Sequence, residues 1–389
     1  GYAPSVVTLN GMNVEGLIAV GAEQKNCFAV GKGNEIILSQ YIGDLKNNET
    51  FDFFKESLQR FLRLFRVKPA RVIHDLHPDY LSTEYANSIK LPALAVQHHY
   101  AHIASCLAEH GLRENVIGIS LDGTGLGADG NIWGGEFLTA DLQGFERLAH
   151  LDYVQTPGGE LAIKEPWRMA VAYLYHSYGK DFLKLNIPVV NKIKMQKIDA
   201  ILTMMDKNIN CPLTSSMGRL FDAVSALLGI CLESRYEAEA AMLLEAEMNQ
   251  ARGSEGGRMK EEGRREKEEG RGGRIGEVYS YQLGNTIDLR PMIKAIVEDL
   301  QRGVENAFIS LKFHNTVIKM IIKVAKKIRR DTAINKIVLS GGCFQNRYLL
   351  ENTEIGLKKE KFEVYSHELV PTNDGGIALG QIAIGAAGI

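Results

Sequence analysis

The sequence predicts an α/β protein built as two successive lobes, and three observations carry that reading. Short β-rich runs alternate with amphipathic helical stretches from residue 26 to residue 121, the same alternation restarts near residue 133, and a length of 389 residues accommodates two such units at about 100–200 residues each. In chain order, NCFAVGKGNEIILSQ (Asn26 to Gln40) reads as two β-runs around Gly31-Lys32-Gly33, a hairpin signal and an antiparallel edge. A helix near Thr50 to Phe65 follows, then a strand near Ala70 to Asp75 and a helix near Asp79 to Ser88. A strand near Ala93 to Gln97, a helix from about Tyr100 to His110 and the strand NVIGISL (Asn115 to Leu121) complete a first lobe, expected over residues 1–130. The second lobe, expected over 131–389, opens with strands at Trp133 to Ala140 and Arg147 to Val154 and a long helical stretch from Glu165 to Asp206. Helices at Met217 to Gly229, Arg235 to Met248 and Asn306 to Arg329 precede the strand KIVL (Lys336 to Leu339). A helix near Gln345 to Lys358, the strand Phe362 to Ser366 and an apolar helix after Asp374 close the chain.

Composition narrows the function classes. Hydrophobic residues make up 45% and charged residues 24%, ordinary globular values that exclude a wholly disordered or collagenous chain. The 45 basic side chains nearly cancel the 47 acidic ones, so no global field favours nucleic acid or an anionic membrane, and neither is expected as a partner. Five scattered cysteines without a Cys-x-x-Cys pair argue against a disulfide framework or zinc knuckle and fit a reducing cytoplasm. No run of about 18 apolar residues occurs, and Gly1 to Leu9 lack the pattern of a signal peptide. Because the chain does not begin with Met, it is expected to be a piece of a longer protein. Residues 250–276 hold eight Gly, eight basic and six acidic residues with almost nothing apolar, which predicts a disordered surface insertion rather than a contact arm.

Several motifs sit where α/β proteins do chemistry. QHHYAH (Gln97 to His102) places three histidines at a strand-to-helix junction. His98 and His102, at i and i+4, suit two imidazoles on one metal if the helix starts early enough, with His99 and His102 as the competing pair and a hydrogen-bonded core cluster as the other reading. Asp122 follows a strand and opens a glycine turn, Gly123-Thr124-Gly125. There it can hold a cation beside phosphate oxygens, or simply cap the turn. Ser340-Gly341-Gly342-Cys343 joins a strand to a helix and offers amides to a second anion, with Asn346 just beyond. Asp374, after Pro371, is either an N-cap or a second acidic ligand. Gly218 and Asp222 lie one helical turn apart and read either as a ribose contact or as a helix-packing site. KEPWR (Lys164 to Arg168) and HDLHPDY (His74 to Tyr80) are polar clusters, substrate-facing or merely exposed.

Taken together, these segments resemble the carbamoyltransferase branch of the acetate kinase, sugar kinase, Hsp70 and actin superfamily, and within it the carboxy-terminal, Kae-like region of the HypF family of hydrogenase maturation proteins. The resemblance rests on GYAP (Gly1 to Pro4), SQYIGDL (Ser39 to Leu45), HDLHPDYLST (His74 to Thr83), VQHHYAHIAS (Val96 to Ser105) and SLDGTGLG (Ser120 to Gly127). KEPWRMA (Lys164 to Ala170), TSSMGRLFDAVSALLG (Thr214 to Gly229), LSGGCFQN (Leu339 to Asn346) and TNDGGIALGQ (Thr372 to Gln381) extend it over nearly the whole chain.

The resemblance implies a two-lobed actin/Hsp70/sugar-kinase-like (duplicated ribonuclease H-like) fold with nucleotide and metal in the interlobe cleft. It implies a divalent metal, iron or zinc, on His98, His102, Asp122 and Asp374, and nucleotide contacts at Gly123, Thr124, Gly125, Gly218, Asp222, Gly341, Gly342 and Asn346. The implied activity is transfer of a carbamoyl group from carbamoyladenylate, itself made from ATP, to the carboxy-terminal cysteine of the partner HypE, on the way to the cyanide ligands of [NiFe] hydrogenase. No nucleophile of the chain's own is implied, and Cys343 is read as a buried or helix-start cysteine. The acylphosphatase-like, Cys-rich and adenylate-forming domains of that family have no counterpart in these residues, so the adenylate-forming domain is expected as a partner, upstream or on another chain. Small-molecule O-carbamoyl transfer, tRNA threonylcarbamoyl transfer and a non-catalytic nucleotide-binding scaffold are the alternatives.

Overall fold

The computed structural model describes residues 6–261, 276–284 and 286–388, and within the helix that ends at Glu261 it describes side chains as far as Ala251. GYAP and residues 262–275 of the expected insertion lie outside the described residues. The first elements are β1 (Val6–Thr8), β2 (Leu17–Ala19), β3 (Ala29–Lys32), β4 (Glu35–Leu38), α1 (Asn48–Leu64), β5 (Arg71–Asp75), α2 (Leu81–Ser88), β6 (Ala93–Val96) and α3 (His98–Glu109). The strands β7 (Val116–Leu121), β8 (Gly135–Ala140) and β9 (Phe145–His150) follow. A helical region comes next, with β10 (Val154–Gln155), α4 (Leu161–Lys164), α5 (Pro166–Tyr178), α6 (Pro188–Lys192), α7 (Met195–Asp206), β11 (Leu213–Thr214), α8 (Met217–Leu227) and α9 (Glu239–Glu261). It continues through β12 (Gln282–Leu283), β13 (Ile287–Asp288), α10 (Arg290–Gln301) and α11 (Asn306–Thr332). Last come β14 (Lys336–Ser340), α12 (Arg347–Lys359), β15 (Glu363–Tyr365) and α13 (Ile377–Ala387).

Two sheets repeat one plan. The first has the order β1-β4-β3-β2-β5-β6, in which β1, β4, β3 and β2 pair antiparallel in turn while β5 adds parallel to β2 and β6 parallel to β5. The second has the order β15-β14-β7-β8-β9, with β7 antiparallel to β8 and parallel to β14, which is parallel to β15. Three strands in meander order followed by two parallel ones, drawn twice, is the duplicated ribonuclease H-like arrangement.

The compact units do not follow the expected boundary at 130/131. One comprises residues 1–148, 325–345 and 357–389, and the other comprises 149–324 and 346–356. The reason lies in pairing and packing. β7 precedes residue 130 yet bonds to β8 and β14 beyond it, and α13 packs on α3. That packing depends on Gly380, where an added Cβ would lie 2.0 Å from the Ala101 carbonyl oxygen. One core cluster in this unit draws Leu17 and Ile73 from the first sheet, Val116 and Val338 from the second, and Ile103 and Ile382 from the two helices.

Other departures have local causes. The expected stretch Glu165 to Asp206 is broken at Gly179, which takes φ +58°, and at Pro188, which starts α6. Helix α10, with Pro at its first turn and Met292, Ile293, Ile296 and Val297 on its buried side, has no counterpart among the expected elements, nor has the β12/β13 pair. The portion of the insertion from Gln250 to Glu261 continues α9 as helix, carried by the run EAAMLLEAEMNQA, rather than beginning as coil.

Candidate functional site

The site in the first unit begins with a helix cap. Gln97 leaves β6 in extended conformation and its Oε1 accepts from the Tyr100 N–H at 2.8 Å, so α3 starts at His98. That early start puts His98 and His102 on one helix face, both about 1% exposed. Their Nε2 atoms lie 3.3 and 3.1 Å from Oδ2 of Asp122, at the carboxyl end of β7, and 3.8 and 3.7 Å from Oδ1 of Asp374. One ligand atom from each of the four residues falls within 4.8 Å of all the others. Asp374 is not the cap of its turn, because Asn373 fills that role by accepting from Gly375 N–H at 3.0 Å. His99 turns away from the cluster toward Gln97, whose Nε2 lies 3.1 Å from His99 Nδ1.

Electrostatics match the geometry. Burial pushes the His98 imidazole down, but the Asp75 charge and the bonds to Asp122 and Asp75 outweigh it and hold His98 well above its ordinary value. His102 is likewise pushed down by burial and raised overall by its bonds to Asp122 and Asp374. Asp122, which burial alone would raise, is held well below the usual carboxylate range by His102 and His98. The side chains therefore favour protonated imidazoles against an ionised Asp122, and a divalent cation replacing the two imidazole protons leaves the net charge unchanged. Two imidazole nitrogens and two carboxylate oxygens form a donor set suited to zinc or ferrous iron.

One residue of the site is absent from the expected set. Asp75, fully buried at the end of β5, takes the His98 Nδ1–H through Oδ2 at 2.7 Å, while its Oδ1 accepts from His77 N–H at 2.9 Å. This orients His98 so that Nε2 faces the cluster, where its lone pair would bind a metal that displaces its proton. The signal was the polar HDLHPD segment at a strand end, but the spacing of 23 residues gave no reason to join Asp75 to His98.

Three amides of the glycine turns have partners within the chain. Gly342 N–H donates to Asp122 Oδ1 at 3.1 Å, Gly123 N–H to the same oxygen at 2.8 Å, and Gly341 N–H to the Thr372 carbonyl at 2.9 Å, so these amides are engaged within the chain. The glycines also serve close approach. A Cβ on Gly125 would sit 2.5 Å from His99 Cε1 and 2.7 Å from His98 Cδ2. Thr124 is half-buried beside it. Four thiols, Cys27, Cys106, Cys211 and Cys231, are pushed up by burial, Cys27 to about 11, which keeps them protonated near neutrality.

The remaining expected nucleotide contacts belong to the second unit. Ser216 caps α8 by accepting from Arg219 N–H at 3.1 Å, and Gly218 and Asp222 occupy its first two turns. Asp222 is buried and committed to an ion pair with Arg219, Nε to Oδ2 at 2.8 Å. Asn346 caps α12, its Oδ1 accepting from Leu349 N–H at 2.8 Å and its Nδ2 lying 3.0 Å from His314 Nε2. His314 Nδ1 lies 2.8 Å from the Ser310 carbonyl, so Nδ1 donates there and Nε2 accepts from Asn346.

Burial pushes His314 down from 6.5 to about 4. An unfolded chain binds that proton below about pH 6.5 while the folded chain refuses it until about pH 4. Stability should therefore fall by about 3 kcal/mol as pH drops through that window. Urea unfolding across it should show a shallower slope for His314→Gln, and superimposable curves would contradict the assignment.

Comparison with known proteins shows the family. A family model described as carbamoyltransferase, Kae1-like domain, second subdomain, matches residues 118–381, and the HypF Kae1-like domain model matches residues 12–109. Carbamoyltransferase HypF of Synechocystis sp. is 38% identical over 98% of this chain and 48% of its own length. A carbamoyltransferase HypF homolog of Cupriavidus necator is 33% identical over 95% of this chain and 91% of its own length. A crystal structure of full-length HypF in a phosphate- and nucleotide-bound form superposes with a TM-score of 0.90 at 44% identity, covering 99% of this chain and 57% of that one. HypF of T. kodakarensis gives a TM-score of 0.86 at 31% identity, covering 99% and 49%. Apart from the Cupriavidus homolog, the chain spans about half the length of the curated relatives it matches.

Proposed function

We infer the activity from one premise, that the chain belongs to the HypF carbamoyltransferase family, its Kae1-like models matching most of its length. The function proposed is transfer of a carbamoyl group from carbamoyladenylate to the carboxy-terminal cysteine of HypE, a step toward the cyanide ligands of [NiFe] hydrogenase. The observation that carries it is the convergence of His98, His102, Asp122 and Asp374, a donor set for a divalent metal, iron or zinc. A divalent cation held there would neutralise phosphate charge and make AMP a better leaving group.

The chain's own residues set up that chemistry. Asp75 fixes the His98 ring, and the amides of Gly123 and Gly342 fix Asp122, so the donor set needs little reorganisation when substrate arrives. The nucleotide is proposed to contact the Gly123-Thr124-Gly125 and Gly341-Gly342 turns beside the donor set. Burial keeps the Cys27, Cys106, Cys211 and Cys231 thiols protonated, and positioning of acceptor against donor is proposed as the main contribution. Among the described residues no helix is long and apolar enough to cross a membrane, and a cytoplasmic location is proposed.

The test supplies the chain with preformed carbamoyladenylate and follows acceptors by intact mass. HypE should gain one carbamoyl group, whereas HypE lacking its last cysteine, a small hydroxyl acceptor and tRNA should gain none. Equal adducts on both HypE forms, or preferential carbamoylation of the hydroxyl or tRNA, would overturn the assignment.

A further inference from the structure

The two histidines of the cluster are oriented by different devices. His98 bonds directly to a buried carboxylate, but His102 Nδ1 faces Ser340 Oγ at 3.5 Å, at the carboxyl end of β14. Ser340 is fully buried, and its Oγ lies 2.8 Å from Nε2 of His367. His367 Nδ1 in turn lies 2.9 Å from Oε2 of Glu109, and these two side chains are 3% and 1% exposed. The other Glu109 oxygen accepts the backbone N–H groups of Glu368 and Leu369.

The carboxylate end sets the direction of every proton in this chain of contacts. Burial raises Glu109, yet the bonds from His367 and from the amides of Leu369 and Glu368 outweigh it and hold the carboxyl below its ordinary value. Burial also pushes His367 down, which leaves it with one ring N–H. An ionised carboxylate only accepts, so that N–H is on Nδ1 and His367 Nε2 is an acceptor. Ser340 must then donate its hydroxyl proton to His367, which leaves its oxygen to accept from His102 Nδ1–H. The end of the sequence is His102 Nε2, turned toward Asp122 and Asp374, where a metal displacing its proton would meet its lone pair.

We propose that Glu109, His367 and Ser340 form a one-way hydrogen-bond relay that positions His102 as a metal ligand, doing over three residues what Asp75 does for His98 in one. The inference rests on the metal reading above. Ser340 is a positioning residue and not a nucleophile, because its oxygen is buried and already engaged between two histidines. Supporting contacts of this kind typically contribute about 10–100-fold to metal affinity.

The experiment has two arms. In the first, metal affinity is measured by chelator competition for wild type, Ser340→Ala and His367→Phe, with circular dichroism and melting of the metal-free proteins as fold controls. Both variants should keep their metal-free melting behaviour and bind metal about 10-fold or more weakly, and unchanged affinity in both would overturn the relay. In the second, long-range imidazole ¹H–¹⁵N spectra of the metal-free wild-type protein assign the His367 tautomer. The relay requires Nδ1–H, and an Nε2–H tautomer overturns it whatever the metal result. Wild-type protein that binds no metal would instead sink the metal reading, so the two failures are distinguishable.

Discussion

His102→Ala should leave the chain folded, without its metal, and slower in carbamoyl transfer by about 10²–10³-fold or more. The fold should survive because Asp122, left without His102, keeps the amides of Gly123 and Gly342 on its other oxygen and His98 at 3.3 Å. His98→Ala should be worse in a distinguishable way. It removes the same kind of ligand but also strips Asp75 Oδ2, at 0% exposure, of its partner, and leaving a buried charge uncompensated costs about 3–5 kcal/mol. Metal analysis and thermal melting of the two variants side by side check this. Loss of metal in both with a lower melting temperature only for His98→Ala is expected, and wild-type metal content in either would contradict the ligand assignment.

The second large effect is expected at Gly341. Its φ is +100°, and a Cβ added there would lie 2.3 Å from the Leu121 carbonyl oxygen and 2.7 Å from the Leu121 carbonyl carbon. Those atoms are backbone, so no side-chain rotation relieves the clash. Gly341→Ala should push the end of β14 away from the end of β7, break the Gly342 N–H bond to Asp122, and reduce stability by about 3 kcal/mol or more. Denaturant unfolding together with metal affinity measures both consequences. By contrast Gly130, with φ +79° and open space around it, should tolerate Ala with a much smaller loss. Equal effects at the two positions would contradict the close-approach argument.

How far the site was legible follows from what each residue type signals locally. The i,i+4 spacing of His98 and His102, Asp122 behind an apolar strand and Asp374 before an apolar helix are all features of short segments, and the fold brings the four together. Asp75 was not legible as a partner of His98 because their meeting depends on β5 lying parallel beside β6, with Asp75 in register with Val96. The relay through Ser340, His367 and Glu109 likewise joins three distant segments and has no trace in any one of them.

The glycine turns carry a second role for a related reason, since the Gly123, Gly342 and Gly341 amides meet Asp122 and Thr372, partners set by the fold and not by any one segment. The same limit applies to the fold. Alternating strands and helices identified the α/β class, but only pairing across the chain shows that β7 belongs with β8 and β14, which moves the boundary expected at residue 130. Helix α10, by contrast, carries its signals locally, in Pro291 at its first turn and the buried stripe of Met292, Ile293, Ile296 and Val297.

The central claim is that His98, His102, Asp122 and Asp374 hold a metal against the phosphate of the bound nucleotide. It is tested most directly by anomalous diffraction at the absorption edge of the metal the purified protein carries, on crystals grown with a non-transferable carbamoyladenylate analogue. The account predicts one anomalous peak among His98 Nε2, His102 Nε2 and the carboxylates of Asp122 and Asp374, with a phosphate oxygen of the analogue bound to it. A peak elsewhere, a site holding no metal, or a phosphate bound away from the metal would contradict it.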